Sequence, residues 1–211
     1  MKVAYSDGGL GDTVYSIPVM RALGVTHYHI TAAYAPVYDL VASQGFTLLP
    51  EPVDGMLDVG DFRKIRNRSH VHIIRCIARA HKVKLVNWSA PFLFGIPAAP
   101  DAPDNIIQLT PRWRDASRVN WKAVLHGLTG SVGFVGLQHE WIDFCTRYGS
   151  VPWINTRDIY EMATYIQGAQ RFYGNQSVGL TLAQGLGKTY YLEKKPHKSN
   201  TLFLTPNENL L

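Results

Sequence analysis

A chain of 211 residues with 46% hydrophobic and 18% charged residues, 18 Gly and 12 Pro is long enough for one ordinary domain or two small ones, and its composition is neither disordered nor collagen-like. No apolar run reaches the ~18–20 residues needed to span a bilayer, and the start MKVAYSDGG lacks the basic head and apolar centre of a signal peptide, so cytoplasmic residence is the expectation. The net charge of +5 suits an anionic partner, while the two cysteines, Cys76 and Cys145, have no second thiol or histidine at ligand spacing and exclude a disulfide framework or zinc site.

In chain order, Lys2 to Ser6 reads as a strand, DGGLGD as a loop and Thr13 to Leu23 as a helix stopped by Gly24. His27 to Thr31 follows as a strand, Pro36 to Ser43 as a helix and Phe46 to Leu49 as a strand. This alternation predicts a parallel sheet. Pro50 to Asp61 is turn-rich. Ser69 is then placed to cap a helix from about His70 to His81, leading into a strand at Lys84 to Trp88.

On that helix Arg68, His72, Arg75, Arg79 and Lys82 recur at helical spacing and predict one basic stripe. Phe62 to Pro100 holds no acidic residue and eight Lys and Arg, more than the whole net charge. The stripe reads either as a solvated face or as a surface meeting a polyanion.

Gly95 to Asp104, GIPAAPDAPD, has the composition of a semi-rigid connector and sets the expected boundary between domains 1–102 and 103–211. The second half repeats the rhythm. Strands are predicted at Asn105–Leu109, Val132–Val135, Val151–Ile154, Arg171–Tyr173 and Thr189–Leu192, and helices at Asn120–Leu128, Glu140–Arg147, Asp158–Gly168 and Ser177–Leu186. That is a minimal Rossmann-like sheet followed by a polar tail. The fold class is α/β, in two small halves.

Three glycine-rich loops invite a nucleotide. Gly9-Leu10-Gly11 has Val14 at the third glycine position and no acidic partner about 20 residues on, which argues against NAD or FAD. Gly187-Lys188-Thr189 lacks the earlier P-loop glycine, has a helix before it and a strand after it, and is rejected as an ATPase motif. Asn175-Gln176-Ser177-Val178-Gly179 ends a strand and opens a helix, where small residues let a diphosphate approach free amides and the positive helix end. The same turn also reads as a helix capped by Asn175 or Ser177.

GGLGDTVYSIPVMRALG resembles the first loop and helix of bacterial heptosyltransferases and their relatives in glycosyltransferase family 9. DIYEMATYIQGAQRFYGNQSVGLTLAQGLGKTYYL is similar to that family's nucleotide-sugar segment, and RVNWKAVLHGL followed by VGFVG and Glu140 resembles the helix and strand between them. The resemblance covers most of a chain that is short for the family. It implies the GT-B fold, α/β with two small Rossmann-like domains facing a cleft, a metal-independent and inverting reaction, no cofactor, and a nucleotide-diphosphate sugar as co-substrate. Asp12 then corresponds to the carboxylate that deprotonates the acceptor hydroxyl, with a helix cap as its other reading. Gly11, Arg112, Arg114, Arg118, Asn175, Gln176, Ser177, Val178, Gly179 and Thr181 are the implied donor contacts. Gln176 and Thr181 depart from the family's usual Asp and His, which bears on the donor's identity.

The expectation is therefore a glycosyltransferase acting on a hydroxyl of a bacterial surface saccharide. The basic stripe also admits a hydroxylated base in DNA, which would have to leave the stack. The competing expectation is a non-catalytic nucleotide-sugar or nucleic-acid binding module with the same fold.

Overall fold

The computed structural model describes residues 1–65, 71–113, 119–194, 201–202 and 207–211. The N-terminal half comprises β1 (Val3–Ser6), α1 (Leu10–Ala22), β2 (His27–Ile30), α2 (Tyr38–Ser43), β3 (Thr47–Leu48), β4 (Leu57–Asp58) and α3 (Ile73–Ala80). Its four strands are parallel in the order β3-β2-β1-β4. Ala4, Tyr28 and Ile30 alternate inward from the strands against Val14, Ile17 and Val19 of α1, the period-two pattern meeting the helical one. Gly24, at φ +70, takes the left-handed position after α1 that a side chain disfavours.

Two expectations fail in this half. The strand at Lys84 to Trp88 does not form, because the edge of β1 opposite β2 is taken by Leu57–Asp58, and Val86 is 99% exposed. The helix after the basic loop begins at Ile73 instead of about His70, and its cap is His72, whose Nδ1 accepts the Ile74 amide at 3.1 Å.

The C-terminal half comprises β5 (Asn105–Gln108), α4 (Trp121–Gly127), β6 (Val132–Val135), α5 (Gln138–Tyr148), β7 (Trp153–Ile154), α6 (Ile159–Gly168), β8 (Arg171–Asn175), α7 (Val178–Gly185), β9 (Thr189–Glu193) and β10 (Glu208–Leu210). All pairings are parallel, in the order β10-β9-β8-β5-β6-β7. Numbered within the half, this is the 3-2-1-4-5-6 order of dinucleotide-binding sheets. β10 lies within the tail that reads as polar sequence; it adds to the β9 edge through Glu208, Asn209 and Leu210.

One apolar cluster runs through both halves, from Ala4, Val14 and Ile17 to Leu180, Ala183 and Leu192. A second, around Ile107, Trp121, Phe134 and Phe144, lies under α4 and α5. The connecting segment lies against the C-terminal half. The Phe92 and Leu93 amides donate to the Gly185 carbonyl, and the Ala99 amide donates to the Thr164 carbonyl. Among the described residues, no helix is long and apolar enough to cross a membrane.

Candidate functional site

Open α/β sheets bind ligands at the carboxyl ends of strands where the strand order reverses. In the N-terminal sheet that point lies beside β1, which passes through residues 7–9 into α1; in the C-terminal sheet it lies between β5 and β8, and β8 passes through Gln176 and Ser177 into α7. α1 and α7 pack side by side and parallel. The Tyr15 hydroxyl donates to Gln184 Oε1 at 2.5 Å, and one turn nearer the strands Gly11 faces Thr181. A methyl group on Gly11 would stand 3.1 Å from Thr181 Oγ1 and 3.9 Å from Val178 Cα. Two positive helix ends from distant parts of the sequence thus meet where the carboxyl ends of the two sheets face each other, bringing together the predicted residues Gly11, Val178 and Thr181.

The first turn of α7 is held by Gln108 at the end of β5. Its Oε1 accepts from the Gly179 amide and from Ser177 Oγ, each at 2.8 Å. A Cβ on Gly179 would overlap that oxygen, so the glycine is what admits it. Ser177 therefore stands at the cap position of α7, but the side chain that accepts the Gly179 amide in the first turn comes from Gln108. Asn175, fully buried, accepts the Thr110 amide at 3.1 Å and donates to the Thr110 carbonyl at 2.7 Å, tying the loop after β8 to the loop after β5. Gln176 is also buried, and its Nε2 donates to Thr201 Oγ1 at 2.9 Å. Of the five turn residues, these two serve the framework, whereas Ser177 and Val178 are half-buried beside α1.

Asp12 is not the cap of α1. The helix starts at Leu10 with Gly9 as its cap, so the carboxylate stands in the first turn. There the Arg63 guanidinium donates to Asp12 Oδ2 at 2.7 Å, reaches within 3.8 Å of Asp7 Oδ1, and lies 5.2 Å from the Phe62 ring centroid. Asp12 and Arg63 keep 23% and 40% of their side-chain surface exposed, so the pair adds only about 0–1 kcal/mol to stability and can exchange partners. Arg63 reaches Asp12 because β4 pairs with β1 and the turn after β4 lies beside the loop after β1.

Arg112 is exposed in the short 3-10 turn Pro111–Trp113 that follows β5, on the crevice side of the sheet. Arg114 and Arg118 lie outside the described residues, as does Arg68 of the basic stripe. His72 is corrected from stripe to core: it is 3% exposed, packed edge-on against Tyr15 with ring centroids 5.0 Å apart, and burial pushes its pKa down to about 3. Arg75, Arg79 and Lys82 do face solvent.

Behind the crevice runs a buried polar chain. Gln184 Nε2 donates to the Tyr190 hydroxyl at 3.0 Å and to the Thr201 carbonyl at 2.7 Å, and Tyr190 donates to Glu208 Oε2 at 2.7 Å. Burial raises the pKa of Tyr15 and of Tyr190, keeping both as neutral donors. Among the described residues no group of three or more His, Cys, Asp or Glu is placed to hold a metal ion.

No family model and no curated protein matches this sequence. Solved structures do. The chain superposes on the Escherichia coli heptosyltransferase WaaC bound to ADP-2-deoxy-2-fluoro heptose with a TM-score of 0.65 and 12% identity, covering 100% of this chain and 93% of that one. It matches the dodecameric iron-containing heptosyltransferase TibC in complex with ADP-D-beta-D-heptose, from enterotoxigenic E. coli, at TM-score 0.67 and 17% identity, over 98% of this chain but 61% of TibC. A glycosyltransferase of family 9 from Veillonella parvula matches at TM-score 0.67 and 13% identity, over 99% and 86%. The chain has the heptosyltransferase-like fold of glycosyltransferase family 9, two Rossmann-like units in the GT-B manner.

Proposed function

We propose that the chain is a glycosyltransferase that moves a sugar from a nucleotide-diphosphate sugar to a hydroxyl acceptor. The observation that carries this reading is the meeting of the α1 and α7 amino ends at Gly11 and Thr181, with the Asp12 carboxylate in the adjoining turn. Two of the structural neighbours are heptosyltransferases holding ADP-heptose compounds, which makes an ADP-sugar the first donor to try.

In this reading Asp12 takes the proton of the acceptor hydroxyl as its oxygen bonds to the anomeric carbon. The bond from that carbon to the diphosphate oxygen breaks, and its electron pair leaves with the diphosphate. The amino end of α7, with Arg112, stabilises the departing charge, and Arg114 and Arg118 belong to the same proposed set. Arg63 orients Asp12 and must yield as the acceptor enters. Inversion at the anomeric carbon and independence of metal follow from the family resemblance. A saccharide is the acceptor that best fits it. A base in DNA has less support, because His72 is buried and no longer extends the basic stripe. Two free cysteines go with a cytoplasmic setting.

The test is a thermal-shift and calorimetric screen of ADP-, UDP-, GDP- and CMP-sugars, since a ligand that binds only the folded chain raises its stability by mass action. One donor class is expected to stabilise the protein. Asp12→Asn is expected to keep that binding while slowing transfer by about 100-fold or more. Donor binding with unchanged transfer in Asp12→Asn removes the assignment of the base, and silence with every donor favours the non-catalytic module.

A further inference from the structure

We infer that Gln108 donates a hydrogen bond to the diphosphate of the nucleotide sugar, in the place that likeness to the family gives to Asn175, Gln176, Ser177 and Gly179; the inference rests on the function proposed above. Gln108 ends β5 where the strand order of the C-terminal sheet reverses, between β8 and β6. Its side chain lies on the α7 side of the sheet. Ile106, two residues earlier and so on the same face, belongs to the apolar cluster that holds Leu180 and Ala183 of α7.

A diphosphate at a helix amino end needs N–H and O–H groups that are not already spent. At the start of α7 the expected ones are spent inside the protein. The Gly179 amide and the Ser177 hydroxyl both donate to Gln108 Oε1, each at 2.8 Å, and Thr181 Oγ1 donates to the Ser177 carbonyl at 3.3 Å. Asn175 Nδ2 donates to the Thr110 carbonyl at 2.7 Å and Gln176 Nε2 to Thr201 Oγ1 at 2.9 Å.

Gln108 restores what it takes. A backbone N–H can only donate, so the atom that faces Gly179 is the oxygen, and Nε2 is turned off the helix. Although the residue is 5% exposed, nothing among the described residues accepts from Nε2, and this nitrogen is not one of the atoms shut away from solvent without a partner. Space is kept beside it by Gly136 at the end of β6, where a Cβ would stand 3.5 Å from Gln108 Cγ and 3.0 Å from Glu140 Oε2. An amide nitrogen has hydrogens to give and no lone pair, so the ligand atom that meets it is an acceptor. With Arg112 in the turn that follows β5 and the positive end of α7 on the other side, that acceptor is a phosphate oxygen.

The experiment is calorimetry of ADP, UDP and GDP with the full chain and with Gln108→Glu, at low salt and in about 1 M salt, where the Debye length is about 3 Å. The carboxylate keeps an acceptor for Gly179 and Ser177 and stands at the positive end of α7, so the thermal midpoint of the variant is expected to be no lower than that of the parent. Only the N–H groups are exchanged, for an anionic oxygen. The diphosphate that the parent binds best is expected to bind the variant about 100-fold more weakly at low salt and still about tenfold more weakly at high salt, since a lost contact, unlike a charge acting at a distance, is not screened. In the parent, the side-chain amide protons of Gln108, identified by NMR through their proximity to the Gly179 amide, are expected to move downfield as the diphosphate saturates; this readout does not depend on how the variant folds. Binding that Gln108→Glu leaves unchanged or weakens only at low salt overturns the inference and leaves the proposed function standing, and so does a Gln108 amide that does not move. A parent that binds none of the three diphosphates overturns both.

Discussion

The helix that opens onto the crevice from the C-terminal half, α7, has its first turn locked. Gln108 accepts the Gly179 amide and the Ser177 hydroxyl, Asn175 clamps Thr110, and every group involved is neutral. α1, facing it from the N-terminal half, has Gly9, which has no side chain to offer, as its cap, and beside it stands a part-exposed ion pair, Asp12 with Arg63. The first turn of α7 is held by neutral groups alone, whereas the first turn of α1 carries an ion pair that can change partners. On the function proposed above, the first would serve as a fixed seat for a donor and the second as a carboxylate that releases one partner to take a proton from another.

The contrast is broken most severely at the two glycine turns. In Gly179→Ala the new methyl overlaps Gln108 Oε1, so either the cap is expelled and a buried amide loses its acceptor, or the helix shifts off the sheet. The expected loss is about 3 kcal/mol in urea unfolding, from overpacking plus an unmade hydrogen bond. In Gly9→Ala nothing stands within 4 Å of the new methyl and the backbone, at φ −57, suits any residue. Its expected loss is under about 1 kcal/mol, the difference between Gly and Ala as a helix cap. Equal losses in the two variants would mean that the two turns are not differently built.

How far the sequence discloses this arrangement differs between the halves for the same reason. In the C-terminal half each strand alternates with a helix of regular apolar period, so β5 to β9 are legible within a residue or two at most ends. In the N-terminal half β4 is two residues long within a turn-rich stretch, and KLVNW reads as a strand although Leu57–Asp58 already holds the edge of β1. The two loops of the crevice are visible because clustered glycines mark places where backbones come close. The residues that complete them are not. Gln108 acts on α7 only through the register that sets it beside Gly174, and Arg63 acts on Asp12 only through the pairing of β4 with β1. Neither contact leaves a local pattern, since the partners are 71 and 51 residues apart. His72 falls on the basic stripe by spacing, yet it caps α3 and packs against Tyr15, which spacing cannot report.

His72 sharpens the comparison through acidity. Its pKa is about 3 in the fold because burial disfavours the charged ring, against an ordinary value near 6.5, so between those limits the unfolded chain binds the extra proton. Stability is therefore complete above about pH 6.5 and falls as the pH drops below it. The expected loss is about 2 kcal/mol between pH 7 and pH 5. Protonation also removes the ring nitrogen that accepts the Ile74 amide. His72→Asn keeps an acceptor for the cap and has no proton to gain, so its thermal midpoint is expected to change much less over that range. A parent and variant with the same acid profile would place the titrating group elsewhere.

The smallest effect tests the seam where the two halves join. Tyr15→Phe keeps the ring that packs against His72 and Phe92 and removes only the hydroxyl that donates to Gln184 Oε1, leaving that oxygen buried without this donor. A loss of about 1–2 kcal/mol is expected. How it is lost matters more than how much. Because one apolar cluster runs through both halves, the variant is expected to unfold in one transition, shifted as a whole, when helix signal and tryptophan fluorescence are followed together. Of the five tryptophans, Trp88 alone lies in the N-terminal half, so the fluorescence reports chiefly on the C-terminal half, while helices of both contribute to the other signal. If the two signals separate, the halves are coupled mainly through this one hydrogen bond, and the charged side of the crevice could move while the neutral side stays folded. If they coincide, the packing of α1 on α7 is what holds the two helix ends together, and exchange of partners at Asp12 has to occur by side-chain motion of Arg63 within a fixed frame.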